Sequence, residues 1–213
     1  CYGTLMRRRY ETMLPLIYGR RVLDGGCGFG LFSRVCLDAG MDVTSIDLDE
    51  SSLELARRIY GVPCRKVSVY ATGLEPDSID TVLLCDVIEH LDFAPLTSEL
   101  CRLGVRRALI YDSNCHNPAL RLYRHLRGHE EHEEYGAEDV VRGFEAAGFR
   151  KSLLRYEDVV ALPLSGGLQL RPVPLLSRSP GLVWAADRAA SFLAQRARIG
   201  QHTAFRYLLV MER

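Results

Sequence analysis

The apolar pair Val22-Leu23 runs into Asp24 and then into Gly25, Gly26, Gly28 and Gly30. A strand that ends in an acid and enters a glycine-rich turn places bare backbone beside the free amides of a helix N-terminus, so that a ligand can lie against the main chain. Gly26, Gly28 and Gly30 are spaced GxGxG, not the GxGxxG of dinucleotide sites. Asp24 would repel a pyrophosphate and attract a cationic or amino-bearing ligand. Farther along, a second apolar stretch, "DVTSID", closes on Asp47. There a carboxylate can accept hydrogen bonds from both hydroxyls of a ribose.

Other residues with chemistry to offer follow later strands. "CDVIEHL" carries Asp86, Glu89 and His90. His90 has two readings, a general base or a side chain that packs and holds the loop. "YDSNCHNPALRLYRHLRG" supplies Asn114 and His116, which could line a pocket; alternatively Asn114 and Asn117-Pro118 turn the chain. "GHEEHEEYGAEDV" contributes His129, His132 and Tyr135. The three-residue histidine spacing in a charge-rich run reads as a solvated surface, and no metal site is expected.

The elements that must position these groups alternate short apolar runs with amphipathic stretches, the pattern of a parallel sheet wrapped by helices. Strands are expected at "RRVLDGG", "DVTSID", "CRKVSV", "SIDTVLLCD", "RRALIYDS", "RKSLLRYEDV" and "AFRYLLVM". The helix "DESSLELARRIYG" has capping-box spacing at Ser51 and Glu54, a buried face of Leu53, Ala56 and Tyr60, and Gly61 to end it. "AEDVVRGFEAAGF" is a second, and a third runs from about Leu182 to Arg196.

The expected organisation is one domain over 1–213, with a helical cap at 1–19 and a substrate-side insertion or helical addition within 160–203. Tyr2, Leu5, Tyr10, Met13 and Leu14 of the cap are candidates to close over a ligand. The Pro-, Gly- and Leu-rich segment Leu162 to Pro180 fits an apolar acceptor, a membrane-surface contact or a homodimer interface.

Twenty-seven basic and 27 acidic residues balance, so no global field draws the chain to nucleic acid or an anionic membrane. No DNA partner is expected. The clusters Arg7-Arg8-Arg9, Arg20-Arg21 and Arg106-Arg107 read as solvated element ends. Seven scattered cysteines without CxxC spacing indicate a reducing, cytoplasmic setting. No stretch is long and apolar enough to span a bilayer. The sequence opens on Cys1, so residues preceding it are expected in the natural protein.

A nucleoside with a cationic, amino-acid-bearing tail is S-adenosylmethionine, and three motifs resemble one family at this point. "VLDGGCGFG", "IDLDESSLELAR" and "DTVLLCDVIEHL" are similar to the motifs of class I, Rossmann-like S-adenosylmethionine-dependent methyltransferases, in the branch that includes quinone-biosynthesis enzymes. The resemblance covers roughly Val22 to Phe149. It implies a doubly wound α/β fold with a mostly parallel seven-stranded sheet, helices on both faces and an antiparallel last strand.

For the site it implies Asp24 at the methionine end and the glycines, Gly25 included, near the cofactor backbone. Asp47 would hold the ribose and Leu48 would pack on adenine, with Asp86 beside the cofactor. Where the family often has an acid for the adenine amino group this chain has Tyr70 and Ala71, leaving that contact to backbone or to Thr72. The implied reaction is methyl transfer to an oxygen or nitrogen of a small, partly apolar acceptor. His90 and His132 are the candidate bases, and Glu89, Asn114, His116, His129 and Tyr135 the candidates on the substrate side. A tRNA or protein methyltransferase and a non-catalytic cofactor-binding scaffold are the rival readings.

Overall fold

The computed structural model describes residues 2–127, 135–165 and 178–213. Seven strands, β1 (Arg21–Gly25), β2 (Asp42–Asp47), β3 (Cys64–Lys66), β4 (Thr81–Cys85), β5 (Arg107–Ser113), β6 (Arg150–Glu157) and β7 (Arg206–Glu212), form one sheet in the order β3-β2-β1-β4-β5-β7-β6. β7 runs antiparallel to both β5 and β6, and the other pairs are parallel. This is the expected sheet. The chain steps outward from β1 to β3 and returns to β4 on the other side of β1, which opens a crevice at the carboxyl ends of β1 and β4.

Strand periodicity sends alternate side chains to opposite faces, and each face has its own core. Leu23, Val82, Leu84, Ala108 and Ile110 meet Leu96 and Leu100 of α4 (Phe93–Arg102) and Val140 and Phe144 of α6 (Ala137–Glu145), which follows α5 (Pro118–Arg127). On the other face Val22, Leu83, Leu109 and Tyr111 meet Met6, Tyr10 and Met13 of α1 (Tyr2–Met13) and Phe32 and Val35 of α2 (Leu31–Asp38). Coverage on both sides explains the nearly continuous apolar runs of β4 and β5.

The helix after β2, α3 (Glu50–Leu55), continues to Tyr60 in a wider, π-type turn and ends at Gly61, whose φ of 62° suits glycine. Its cap differs from the expected Ser51 and Glu54 pairing. Asp49 accepts from the Ser51 and Ser52 amides at 3.1 and 3.2 Å, because Asp49 stands just before the first helical residue and Ser51 is already inside the first turn.

The N-terminal segment needs two corrections. Tyr2, Met6 and Tyr10, spaced i, i+4 and i+8, form its cavity-facing stripe, whereas Leu5 packs on Ala161 and Val183, and Met13 is core. Arg9, read as solvated with its neighbours, is 1% exposed and paired with three carboxylates through its two terminal nitrogens, because its position on α1 faces the chain's C-terminal third. Those later elements include α7 (Ala161–Ser165), α8 (Pro180–Arg196) and α9 (Gly200–Thr203). Most of the Leu162 to Pro180 segment lies outside the described residues. Among the described residues no helix is long and apolar enough to cross a membrane.

Candidate functional site

A cavity of about 590 Å³ opens where β1, β2 and β4 end. Asp24, the last acid of β1, is 2% exposed, lines the cavity and accepts from the Ser33 hydroxyl of α2 at 2.5 Å; that hydroxyl also meets Ser45 of β2 at 2.7 Å. Burial pushes the Asp24 carboxyl up to about 6 against these hydrogen bonds. A cation beside it would relieve the desolvation of its charged form.

Asp47 ends β2 and reaches across to the glycine turn. One oxygen accepts the Gly28 amide at 2.8 Å and the other the Asp49 amide at 2.9 Å. Asp47 lines the cavity, and a carboxylate with two such bonds retains lone pairs that can accept two more donors. Leu48, 63% exposed, stands beside it on the cavity wall.

The glycines divide by cause. A Cβ at Gly26 would sit 2.6 Å from Val87, one at Gly30 would sit 3.0 Å from Ala56, and one at Gly25 would sit 3.0 Å from Val69. These three are small because protein packs against them. Gly28 alone of the four would project a Cβ into open space, with φ at 49°. Both Gly26 and Gly28 border the cavity, but for different reasons: Gly26 is small because Val87 packs against it, whereas the space beside Gly28 is open.

The segment after β3 contributes Val67, Ser68, Val69 and Tyr70 to the wall. The Tyr70 hydroxyl accepts the Asp92 amide at 2.8 Å, which fixes its ring in place. Ala71 is exposed and stands outside this cavity, and Thr72 is buried against Glu99 through both its amide and its hydroxyl. Neither reaches the site. Ser68 and Asp49 do, and nothing in their local spacing announced it; both follow strand ends, which is the signal that would have found them.

After β4, Asp86 adopts φ 53°, lines the cavity and is ion-paired with Arg206 of β7. The following amides of Val87 and Ile88 are held by the buried Asp112 at 3.0 and 2.9 Å. His90 also lines the cavity, with half of its side chain exposed and Nε2 3.7 Å from Glu89. Glu89 itself turns to Arg124 at 2.9 Å and does not line the cavity. Cys85 and Cys27 do line it; burial raises both thiols well above the ordinary range, so neither is a thiolate at neutral pH.

The other candidates are placed elsewhere. Asn114 is 1% exposed and gives its amide to the Gln201 and Ala204 carbonyls, tying the end of β5 to the approach to β7. His116 lies 3.7 Å from Glu138, and Tyr135 packs on Phe93 at 4.8 Å between ring centres. None of the three lines the cavity. His129 and His132 lie outside the described residues. No group of three metal-ligating side chains is found among the described residues.

Residues 23–110 match the model of a methyltransferase domain. Over this segment the chain is similar to a methyltransferase domain. Its matched segment contains the glycine turn, Asp47 and the β4 loop, which build the cavity together with α1. Over 88 residues the domain is 42% identical to a ubiquinone biosynthesis O-methyltransferase of Bordetella avium (strain 197N), covering 38% of this chain and 36% of that protein. A second relative of the same name, from Idiomarina loihiensis (strain ATCC BAA-735 / DSM 15497 / L2-TR), is 35% identical over 81 residues, 35% of this chain and 33% of its own length. The match therefore spans about a third of the length of these curated relatives.

The fold is shared over nearly the whole chain. A solved SAM-dependent methyltransferase from Archaeoglobus fulgidus superposes with a TM-score of 0.70 at 19% identity, over 99% of this chain and 94% of that one. A geranyl diphosphate C-methyltransferase from Streptomyces coelicolor A3(2), solved with S-adenosyl-L-homocysteine, gives 0.65 at 13% identity, over 97% and 80%.

Proposed function

We propose that the chain transfers a methyl group from S-adenosylmethionine to an oxygen or nitrogen of a small, partly apolar acceptor. The observation that carries this reading is the cavity's charge: among the described residues four carboxylates, Asp24, Asp47, Asp49 and Asp86, and no lysine or arginine line it. Such a wall suits a ligand with a sulfonium and an ammonium and opposes a pyrophosphate. The residues fit this cofactor. Asp47 is presented for two hydroxyl donors, Gly28 leaves open space, and Asp24 is a buried anion at the turn.

When bound, S-adenosylmethionine supplies an activated methyl group. The protein's own part is to orient and to exclude water. Asp47 holds the ribose end, Asp24 the amino-acid end, and Leu48 with the Tyr70 ring confines the base. Tyr2, Met6, Tyr10 and Phe32 give the remaining wall its apolar, aromatic character, which supports a small acceptor with apolar surface. The O-methyltransferase names of the relatives favour oxygen. His90 presents an imidazole on the cavity wall and serves as base where the acceptor needs one. The same acidic wall disfavours a phosphate-bearing tRNA acceptor.

The test is calorimetric titration with S-adenosylmethionine, S-adenosylhomocysteine and NAD, followed by an acceptor screen of phenols and amines. Binding of the first two without the third is expected. Binding of NAD alone, or of none, would overturn the cofactor reading; cofactor binding with turnover unchanged in His90→Asn would remove the base.

A further inference from the structure

Three buried carboxylates from the C-terminal third of the chain converge on one side chain of α1. Arg9 Nη1 donates to Glu157 at 2.8 Å, and Nη2 donates to Asp158 at 2.6 Å and to Asp187 at 2.8 Å. All four side chains are at most 7% exposed. Glu157 ends β6 and Asp158 follows it, and Asp187 lies midway along α8, where its second oxygen accepts the Val160 and Ala161 amides at 2.8 and 2.9 Å. The Trp184 ring, also of α8, lies 4.7 Å from the same guanidinium.

The cluster extends to the cavity. Asp158 accepts from the Tyr111 hydroxyl, its Oδ2 lies 3.8 Å from Arg206 Nε, and Arg206 pairs with Asp86 on the cavity wall. Charge thus alternates through Asp86, Arg206, Asp158, Arg9 and Asp187.

The residue after Arg9 is Tyr10, whose ring stacks on Phe32 at 4.3 Å between centres; with Tyr2 and Met6 it forms the α1 side of the cavity. Most helical stability in a protein comes from tertiary packing of the apolar face, so the place of α1 is set by what it packs against. Leu5 and Met13 supply apolar contacts that tolerate sliding, whereas a planar fork held by three fixed carboxylates does not. Such an ion cluster adds little net stability over an apolar replacement but specifies one geometry.

We propose that Arg9 is a positioning residue for the cofactor pocket: by docking α1 onto the β6–α8 carboxylates it sets the aromatic wall, so pocket affinity depends on a cluster outside the cavity. The proposal rests on the cofactor reading above. It makes the α7–α8 addition part of the pocket's construction although none of the described residues of α7 or α8 lines the cavity.

The test compares wild type, Arg9→Met, Arg9→Lys and Asp187→Asn. Asparagine keeps an oxygen for the Val160 and Ala161 amides and removes the charge that Arg9 meets. S-adenosylhomocysteine affinity is measured by calorimetry at a temperature where circular dichroism shows each variant folded, and hydrogen exchange is followed over residues 2–13 and over the sheet without ligand. At least tenfold weaker binding in Arg9→Met and Asp187→Asn, an intermediate value in Arg9→Lys, and faster exchange confined to α1 are expected. Wild-type affinity in the folded variants, with only a lowered melting temperature, would overturn the proposal, as would unchanged exchange in α1. If Arg9→Met does not fold, Asp187→Asn alone decides. If wild type binds no S-adenosylhomocysteine the cofactor reading fails, and the exchange arm still decides whether Arg9 sets the wall.

Discussion

Asp47 and Gly28 are joined by a 2.8 Å hydrogen bond in which the carboxylate at the end of β2 accepts the amide of the turn after β1. The acid assigned to ribose binding is thereby also the brace of the loop it works with. Asp47→Ala removes ligand acceptors and loop support together. Its affinity for S-adenosylhomocysteine should fall by about 100-fold or more, as expected for two lost hydrogen bonds to a charged group. Calorimetry reads this; a change under threefold would remove Asp47 from the ribose.

Gly26 and Gly28 should fail in different assays. Alanine at Gly26 drives a Cβ into Val87, so the melting temperature should drop by several degrees with a stability loss of about 1–3 kcal/mol. Alanine at Gly28 meets only the strain of a positive φ, about 1 kcal/mol, and puts a methyl in the ligand's space. The expected result is a stable Gly28→Ala protein with weakened cofactor binding. Equal melting losses with equal affinities would show that the division by cause is wrong.

Cofactor affinity should depend on pH through Asp24. Burial raises its carboxyl to about 6, so the carboxylate that attracts a cation is lost as pH falls below that value. Affinity for S-adenosylmethionine should decline below pH 6 by up to about tenfold per unit. The stability sign is opposite: a raised carboxyl holds its proton more tightly in the folded state, so this residue's contribution is largest below the unfolded value near 4 and is lost as pH rises through 6. Asp24→Asn should therefore melt higher at pH 7.5 while binding cofactor poorly and with a flat pH profile. Calorimetry at pH 5.5 and 7.5 with thermal melts checks both.

Acid stability rests elsewhere. Arg102 holds the Glu99 carboxyl down to about 2, with help from Thr72, and Arg21 holds Asp80 at about 2. Depressed carboxyls stabilise the fold above their unfolded values, and that contribution is lost as pH falls from about 4.5 toward 2. Because Arg102 is partly exposed, Glu99→Gln should remove only about 1 kcal/mol at pH 7. Its acid-unfolding curve should be shallower between pH 4.5 and 2; an unchanged curve would mean that Glu99 is not linked to folding.

Much of this was legible in the residues because it is local or periodic. Asp24, the glycine turn and Asp47 each close an apolar run, and strand ends in a doubly wound sheet must gather in one crevice. What sequence could not show were relations across long separations. Arg9 looked like one of three surface arginines, and its partners lie 148, 149 and 178 residues away. Gly26 and Gly28 are alike in the sequence, and only the position of Val87 separates them. Asn114 was read among pocket-lining polar groups because it follows a strand, yet carbonyls 87 and 90 residues later claim its amide.

The order of synthesis meets a particular obstacle in this sheet. β7 sits between β5 and β6, so β6 emerges from the ribosome with no neighbour to pair with until Arg206–Glu212 have also emerged. Arg107 likewise waits 105 residues for its partner Glu212. The nascent chain can assemble β1 to β5 early, with the unpaired edge of β5 open to other polypeptides during that interval. Arg206, which completes the link from Asp86 to Arg9, arrives with that closing strand, so the link is closed among the last steps of folding.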